Sequence, residues 1–257
     1  MKPKLGIQLY TLRDRIQNYE DCDKTFRELY DFGVRVIQIS GIGPIPQPQV
    51  AELVKKYGFD VCVTHTSFDR MKADIETVID EHKMINCNCL GIGSMPAEAR
   101  ESAEALRNFI REANEIGKAM KARGCHFAYH NHDFEFQKID GDKRIIDILI
   151  EETDPELFWF IPDTAWIDIG GDDVCECLER MKGRVKVVHF KDYVRKEDGK
   201  HKFVELGKGL VDLPAAYKKA TELGMPYIVF EQDIDWIDDD PMLACKLSFE
   251  YMNEIAE

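Results

Sequence analysis

Runs of aliphatic and β-branched residues recur along the chain at 5–10, 34–40, 60–65, 89–94, 125–131, 158–163, 185–191 and 227–231. Each is followed by a longer stretch whose apolar positions repeat at helical spacing, at 22–32, 48–57, 72–84, 97–122, 143–151, 173–181, 213–223 and 241–256. This alternation is the signature of a parallel sheet with crossover helices. Several helical stretches end in a glycine just before the next strand, as at Gly58 and Gly124, where a left-handed backbone closes a helix without strain.

Eight such units predict a closed (β/α)8 barrel rather than an open doubly wound sheet, which would show fewer strands and a glycine-rich dinucleotide turn after the first. No GxGxxG stands there; Gly41-Ile42-Gly43-Pro44 follows the second run, and its prolines suit a plain turn better than a phosphate cradle. A length of 257 residues fits one barrel, and with no linker or low-complexity tract the expectation is a single domain over 1–257.

Composition narrows the function classes. Hydrophobic residues at 44% and charged residues at 32% describe a soluble globular chain. A net charge of -14 repels phosphate backbones and anionic membranes, so nucleic acid and membrane are not expected partners. No secretory signal pattern precedes Lys4-Leu5-Gly6-Ile7 and no apolar run reaches spanning length, which points to the cytoplasm. The eight cysteines then read as buried reduced thiols; Cys87-Asn88-Cys89 lacks a second pair at zinc-site spacing and reads as core packing. A homo-oligomer is compatible with the sequence, which does not locate an interface.

In a parallel barrel, reactive groups project from the C-terminal strand ends. Here those ends carry Gln8 and Tyr10, Gln38, His65, Ser94, His130 with His132, Asp163, His189 with Lys191 and Asp192, and Glu231. Any one of them has a bland explanation as a helix cap or solvated loop group. Imidazoles and carboxylates recurring on the fifth to eighth strands, however, predict one divalent metal site from His130, Asp163, His189 and Glu231, a donor mixture suited to Zn²⁺, Mn²⁺, Co²⁺ or Fe²⁺.

Read in order, Gly6-Ile7-Gln8-Leu9-Tyr10-Thr11-Leu12-Arg13, Tyr129-His130-Asn131-His132, Pro162-Asp163-Thr164, His189-Phe190-Lys191-Asp192, Glu205-Leu206-Gly207-Lys208-Gly209 and Phe230-Glu231 resemble the xylose-isomerase-like TIM barrel superfamily of sugar isomerases, epimerases and inosose dehydratases. The resemblance covers nearly the whole chain. It implies a TIM barrel enzyme acting on a small carbohydrate with a divalent ion, Mn²⁺, Co²⁺, Zn²⁺ or Mg²⁺, held by a Glu, an Asp, a His and a Glu on strands five to eight. Asp163, His189 and Glu231 match the last three; His130 stands where many members have the first Glu, as in the inosose dehydratase-like branch. Where epimerases commonly have a His shortly after the Asp, this chain has Trp166, suited to stacking on a sugar face or to loop packing.

The chemistry implied is proton abstraction beside a carbonyl, by an isomerase or epimerase. With His130 in the first position, only Glu231 remains of the epimerases' two matched bases, which keeps a dehydratase or lyase acting on a keto-sugar or inosose as the alternative. His65, His132, Lys191 and Glu135 are candidates for the auxiliary acid and base roles, Glu135 being read equally as a solvent-facing residue of an extended 133–136 stretch. Gln8, Tyr10 and Arg13 are expected to bind substrate hydroxyls, Trp166 to stack, and the Glu205 to Gly209 loop to close over the mouth or form a simple turn. Lys191 and Lys208 are placed to meet a phosphate if the substrate has one. An apurinic endonuclease of the same barrel type, disfavoured by the acidic balance, and a metal-free carbohydrate-binding barrel are the remaining readings.

Overall fold

A computed structural model describes residues 1–257. Eight parallel strands form its centre: β1 (Lys4–Gln8), β2 (Val36–Ile39), β3 (Asp60–His65), β4 (Cys89–Ile92), β5 (His126–His130), β6 (Phe158–Ile161), β7 (Val187–Phe190) and β8 (Tyr227–Phe230). Their order around the sheet is β6-β5-β4-β3-β2-β1-β8-β7. Two isolated bridges, Phe160 with Val185 and Asp163 with His189, bring the sheet's ends together. The N–H of His189 donates to the Pro162 carbonyl at 2.8 Å across this seam. The result is the (β/α)8 TIM barrel expected from the alternating pattern.

Helices α1 (Tyr19–Asp31), α2 (Gln47–Tyr57), α3 (Phe68–Ala73), α4 (Ile75–Met84), α5 (Ala103–Ala122), α6 (Ile145–Glu152), α7 (Thr164–Ile169), α8 (Val174–Arg180), α9 (Leu213–Glu222) and α10 (Pro241–Ala256) surround the strands. The main core, a cluster of 64 buried residues, lies between helices and strands. Inside the barrel sits a second cluster of 8: Val36, Cys62, Val63, Cys89, Ala128, Ile161, Val187 and Val229. Gly91 narrows this interior by necessity, since a Cβ there would meet Ile161 Cδ1 and the Thr64 carbonyl oxygen, each at 2.8 Å. No helix is long and apolar enough to cross a membrane, and all eight cysteines are free thiols, seven of them buried.

The period of a strand converts this inner cluster into a rim. Two residues beyond Ala128, Ile161, Val187 and Val229, on the same face, stand His130, Asp163, His189 and Glu231. The lower side chains fill the barrel, and the next inward position carries the polar group to its C-terminal mouth.

Several expected elements are corrected. The stretch 72–84 is two helices, because Asp74 leaves helical geometry at φ -156° and uses its carboxylate to accept from the Thr77 N–H. The stretch 97–122 opens with a separate 3-10 turn, Ala97–Arg100, before Ser102 caps α5. Lys143–Arg144 pairs with Lys138–Asp140 in a small hairpin instead of starting α6. The 133–136 stretch is a 3-10 turn over Phe134–Phe136 rather than extended, and it carries Glu135 fully inward, not to solvent.

Candidate metal centre

One side-chain ligand atom from each of His130, Asp163, His189 and Glu231 lies within 4.8 Å of the others, and all four residues are buried. His189 Nδ1 is 3.0 Å from Glu231 Oε2, while His130 Nε2 is 3.4 Å from Asp163 Oδ2 and 3.6 Å from Glu231 Oε2. Two imidazoles and two carboxylates converging at this spacing form a set that could hold a divalent ion.

The surrounding hydrogen bonds fit that use. His130 Nδ1 faces the Gly93 carbonyl oxygen at 3.1 Å, and His189 Nε2 faces Gln38 Oε1 at 2.8 Å. Both partners accept, so with an ion in the cluster each ring would place its proton on the outward nitrogen and turn a lone pair to the metal, as metal-binding histidines require. Asp163 is held from both sides: its N–H donates to Asn131 Oδ1, and its Oδ1 accepts from the Trp166 N–H as the cap of α7. Its Oδ2 is the atom turned toward His130.

Lys191, buried two positions beyond His189, donates to Asp233 and lies 3.4 Å from Glu231 Oε2 and 3.7 Å from Asp163 Oδ2. Burial works against its charge, but the carboxylates of Glu231, Asp233 and Asp163 outweigh it and hold the ammonium well above the usual lysine range. Burial would likewise lift Glu231; the ammonium of Lys191 beside it overcomes this and keeps the carboxyl well below its ordinary range. Burial drives His65 strongly down, and burial together with His130 lowers His132 to about 3, so both rings are neutral.

A cavity of about 450 Å³ opens over this group. Of the residues expected from sequence, Tyr10, Arg13, His65, His130, His132, Lys191 and Glu231 line it. Asp163 and His189 lie just beneath.

Three others, Gln8, Trp166 and Glu205, are not among the residues lining the cavity. Gln8 is fully buried, its Oε1 accepting from the Tyr10 N–H at 2.9 Å and its Nε2 reaching His65 Nδ1 at 3.5 Å. Trp166 packs beside His132 and against Phe203 in a loop cluster, with Lys191 Nζ 5.1 Å from its ring centre. Glu205 Oε1 accepts from the Ile237 N–H, tying its loop to the segment after β8.

The Gly207 and Gly209 N–H groups donate to Asp192, whose carboxylate also accepts from Tyr193 and Val211. A Cβ on Gly209 would lie 2.2 Å from Asp192 Oδ1. The loop is thus filled by the chain's own anion.

Sequence reasoning missed Asp233, Ser40 and Ile234, which also line the cavity. Asp233 had a signal: it continues the two-residue period beyond Glu231. The Gly93 carbonyl, a backbone group, had none.

The family model described as xylose isomerase-like TIM barrel matches residues 25–254, most of the chain. The chain belongs to that family. Among solved structures, a sugar phosphate isomerase/epimerase from Parabacteroides distasonis aligns with a TM-score of 0.84 at 21% identity, covering 100% of this chain and 96% of the other. That likeness establishes the fold. Curated relatives include an inosose dehydratase from Mesomycoplasma hyopneumoniae, 32% identical over 95 residues, which are 37% of this chain and 30% of the relative. Another, from Salmonella agona, is 36% identical over 86 residues, 33% of this chain and 27% of the relative. The chain thus matches less than a third of the length of these dehydratases.

Proposed function

We propose that this xylose isomerase-like barrel is a divalent-metal-dependent enzyme that removes a proton beside a carbonyl of a small sugar, keto-sugar or polyol. The observation that carries this reading is the convergence of four buried donor atoms within 4.8 Å at the floor of an open cavity. When bound between His130, Asp163, His189 and Glu231, the ion supplies Lewis acidity that makes a neighbouring C–H easier to deprotonate.

The protein's own groups divide the remaining work. Glu231 turns Oε2 to His189 and Lys191, while Oε1 accepts none of the chain's hydrogen bonds and is the atom assigned to take the proton. His65 Nε2 and His132 Nδ1 are shielded from solvent and have no partner within the chain. They are assigned to substrate hydroxyls, which would satisfy both. Lys191 keeps its proton at Nζ and is assigned to stabilise negative charge that develops on a substrate oxygen.

A single carboxylate base, Glu231, favours, as a second reading, loss of water from a keto-sugar or inosose. His130 stands where a second carboxylate base would be needed for a two-sided epimerisation. The inosose dehydratases among the relatives support the same reading.

Incubating the Mn²⁺-loaded protein with sugars, keto-sugars and inososes in D₂O tests both. Deuterium gain without loss of water identifies isomerase or epimerase chemistry, and an unsaturated product identifies a dehydratase. Glu231→Gln should abolish either reaction and weaken Mn²⁺ binding; full activity with full metal occupancy in that variant refutes the assignment.

A further inference from the structure

Two cationic side chains line the cavity, and they differ in what they face. Lys191 is paired with Asp233. Arg13 has no carboxylate within salt-bridge distance; its Nη1 donates to the Tyr10 carbonyl at 3.0 Å and its Nη2 to the Asp233 carbonyl at 2.9 Å. Its guanidinium carbon lies 4.6 Å from the centre of the Tyr10 ring and 5.5 Å from that of Trp236. The segments after β1 and β8 therefore fix the guanidinium in place through neutral partners. The rest of its planar fork of N–H donors is free for a ligand.

Charge balance says what that ligand carries. The Lys191–Asp233 pair sums to zero wherever its shared proton rests, and the carboxylates of Asp163 and Glu231 cancel a divalent ion. The positive charge of Arg13, half-buried at the cavity wall, is left without a carboxylate partner. One negative charge on the ligand would balance it; a phosphate dianion would overshoot.

We propose that the substrate is a polyhydroxy acid whose single carboxylate docks on Arg13 while its carbonyl and hydroxyl oxygens face His65, His132 and the four-ligand cluster. This rests on the functional reading above, and a cavity of about 450 Å³ is of a size for such a molecule. Bidentate recognition of a carboxylate is what a fixed arginine fork provides.

The test is calorimetric titration of the Mn²⁺-loaded full chain with glucuronate, glucose and glucose 6-phosphate, for wild type, Arg13→Gln and Arg13→Lys. Wild type is expected to bind glucuronate about tenfold to a hundredfold more tightly than glucose, the usual worth of a charge-assisted hydrogen bond. Arg13→Gln should erase that preference, and Arg13→Lys should retain part of it. Equal binding of acid and neutral sugar, tightest binding of the phosphate ester, absence of glucuronate binding, or a preference that survives Arg13→Gln each overturns the proposal. A parallel Mn²⁺ titration separates it from the metal reading. A chain that takes up no Mn²⁺ yet shows the Arg13-dependent preference defeats the metal reading alone, and one that binds Mn²⁺ without discriminating defeats the polyhydroxy acid alone.

Discussion

Replacing Gln38 with leucine probes the centre without touching any of the four ligands. Gln38 is fully buried, and its Oε1 faces His189 Nε2 at 2.8 Å. With an ion bound, this contact would hold the proton on Nε2 and leave the lone pair of Nδ1, which lies 3.0 Å from Glu231 Oε2, for the metal. Leucine has nearly the same volume but no acceptor. A buried imidazole N–H would lose its partner, at a cost of about 1–3 kcal/mol, or the ring would move its proton to Nδ1 and lose its donor atom. Either route weakens metal binding, and loss of an orienting partner of this kind typically lowers affinity by about 10–100-fold. Competition against a fluorescent chelator, with Mn²⁺ and then Zn²⁺, measures the change directly. Thermal unfolding of the metal-free protein checks that the fold survives, with a midpoint shift of about 2–4 °C expected per kcal/mol. Unchanged metal affinity in a folded Gln38→Leu protein would refute the idea that this hydrogen bond sets the tautomer of His189.

Burial raises the carboxyl of Glu135 from its ordinary 4.5 to about 7, despite bonds from the Tyr129 hydroxyl and the His132 N–H. The folded state therefore holds a proton that the unfolded chain has released, so this group's contribution to stability is full below about pH 4.5 and declines as pH rises through 7. Urea melts from pH 4 to 8 should show wild type losing stability relative to Glu135→Gln across that window, and parallel curves would contradict the assignment. At Asp192, whose carboxylate accepts four backbone N–H groups, alanine should destabilise the fold by roughly 3 kcal/mol or more by leaving those donors unpaired. Denaturant unfolding would show it, and a loss under about 0.5 kcal/mol, typical of a surface substitution, would contradict the clamp.

The barrel was readable from sequence because each strand is an apolar run and each helix repeats its apolar face, signals that need no tertiary information. The rim was readable for a related reason. Once Val187 and Val229 are placed inside, the two-residue period puts His189 and Glu231 on the same face, and Ala128 and Ile161 do the same for His130 and Asp163. What escaped depends on contacts that the pattern of apolar and polar positions does not show. Glu135 turns inward because Tyr129 and the His132 N–H meet it in a tight turn, whereas the polar-apolar alternation of Asp133-Phe134-Glu135-Phe136 resembles a strand. The clamp of the Glu205 to Gly209 loop on Asp192 has no local signal, because the carboxylate that the Gly207 and Gly209 N–H groups meet stands some fifteen residues earlier. Arg13 was legible as a mouth residue, but its lack of a carboxylate partner emerges only when the segments after β1 and β8 are seen side by side.

The account depends most on a single cation sharing His130, Asp163, His189 and Glu231. Anomalous diffraction from crystals grown with Mn²⁺ or Zn²⁺ measures that directly. The account predicts one peak at about 2.0–2.2 Å from an imidazole nitrogen or carboxylate oxygen of each residue, with His189 bound through Nδ1. Metal-saturated crystals with no peak among these four side chains, or with the ion held at another face of the barrel, would contradict it.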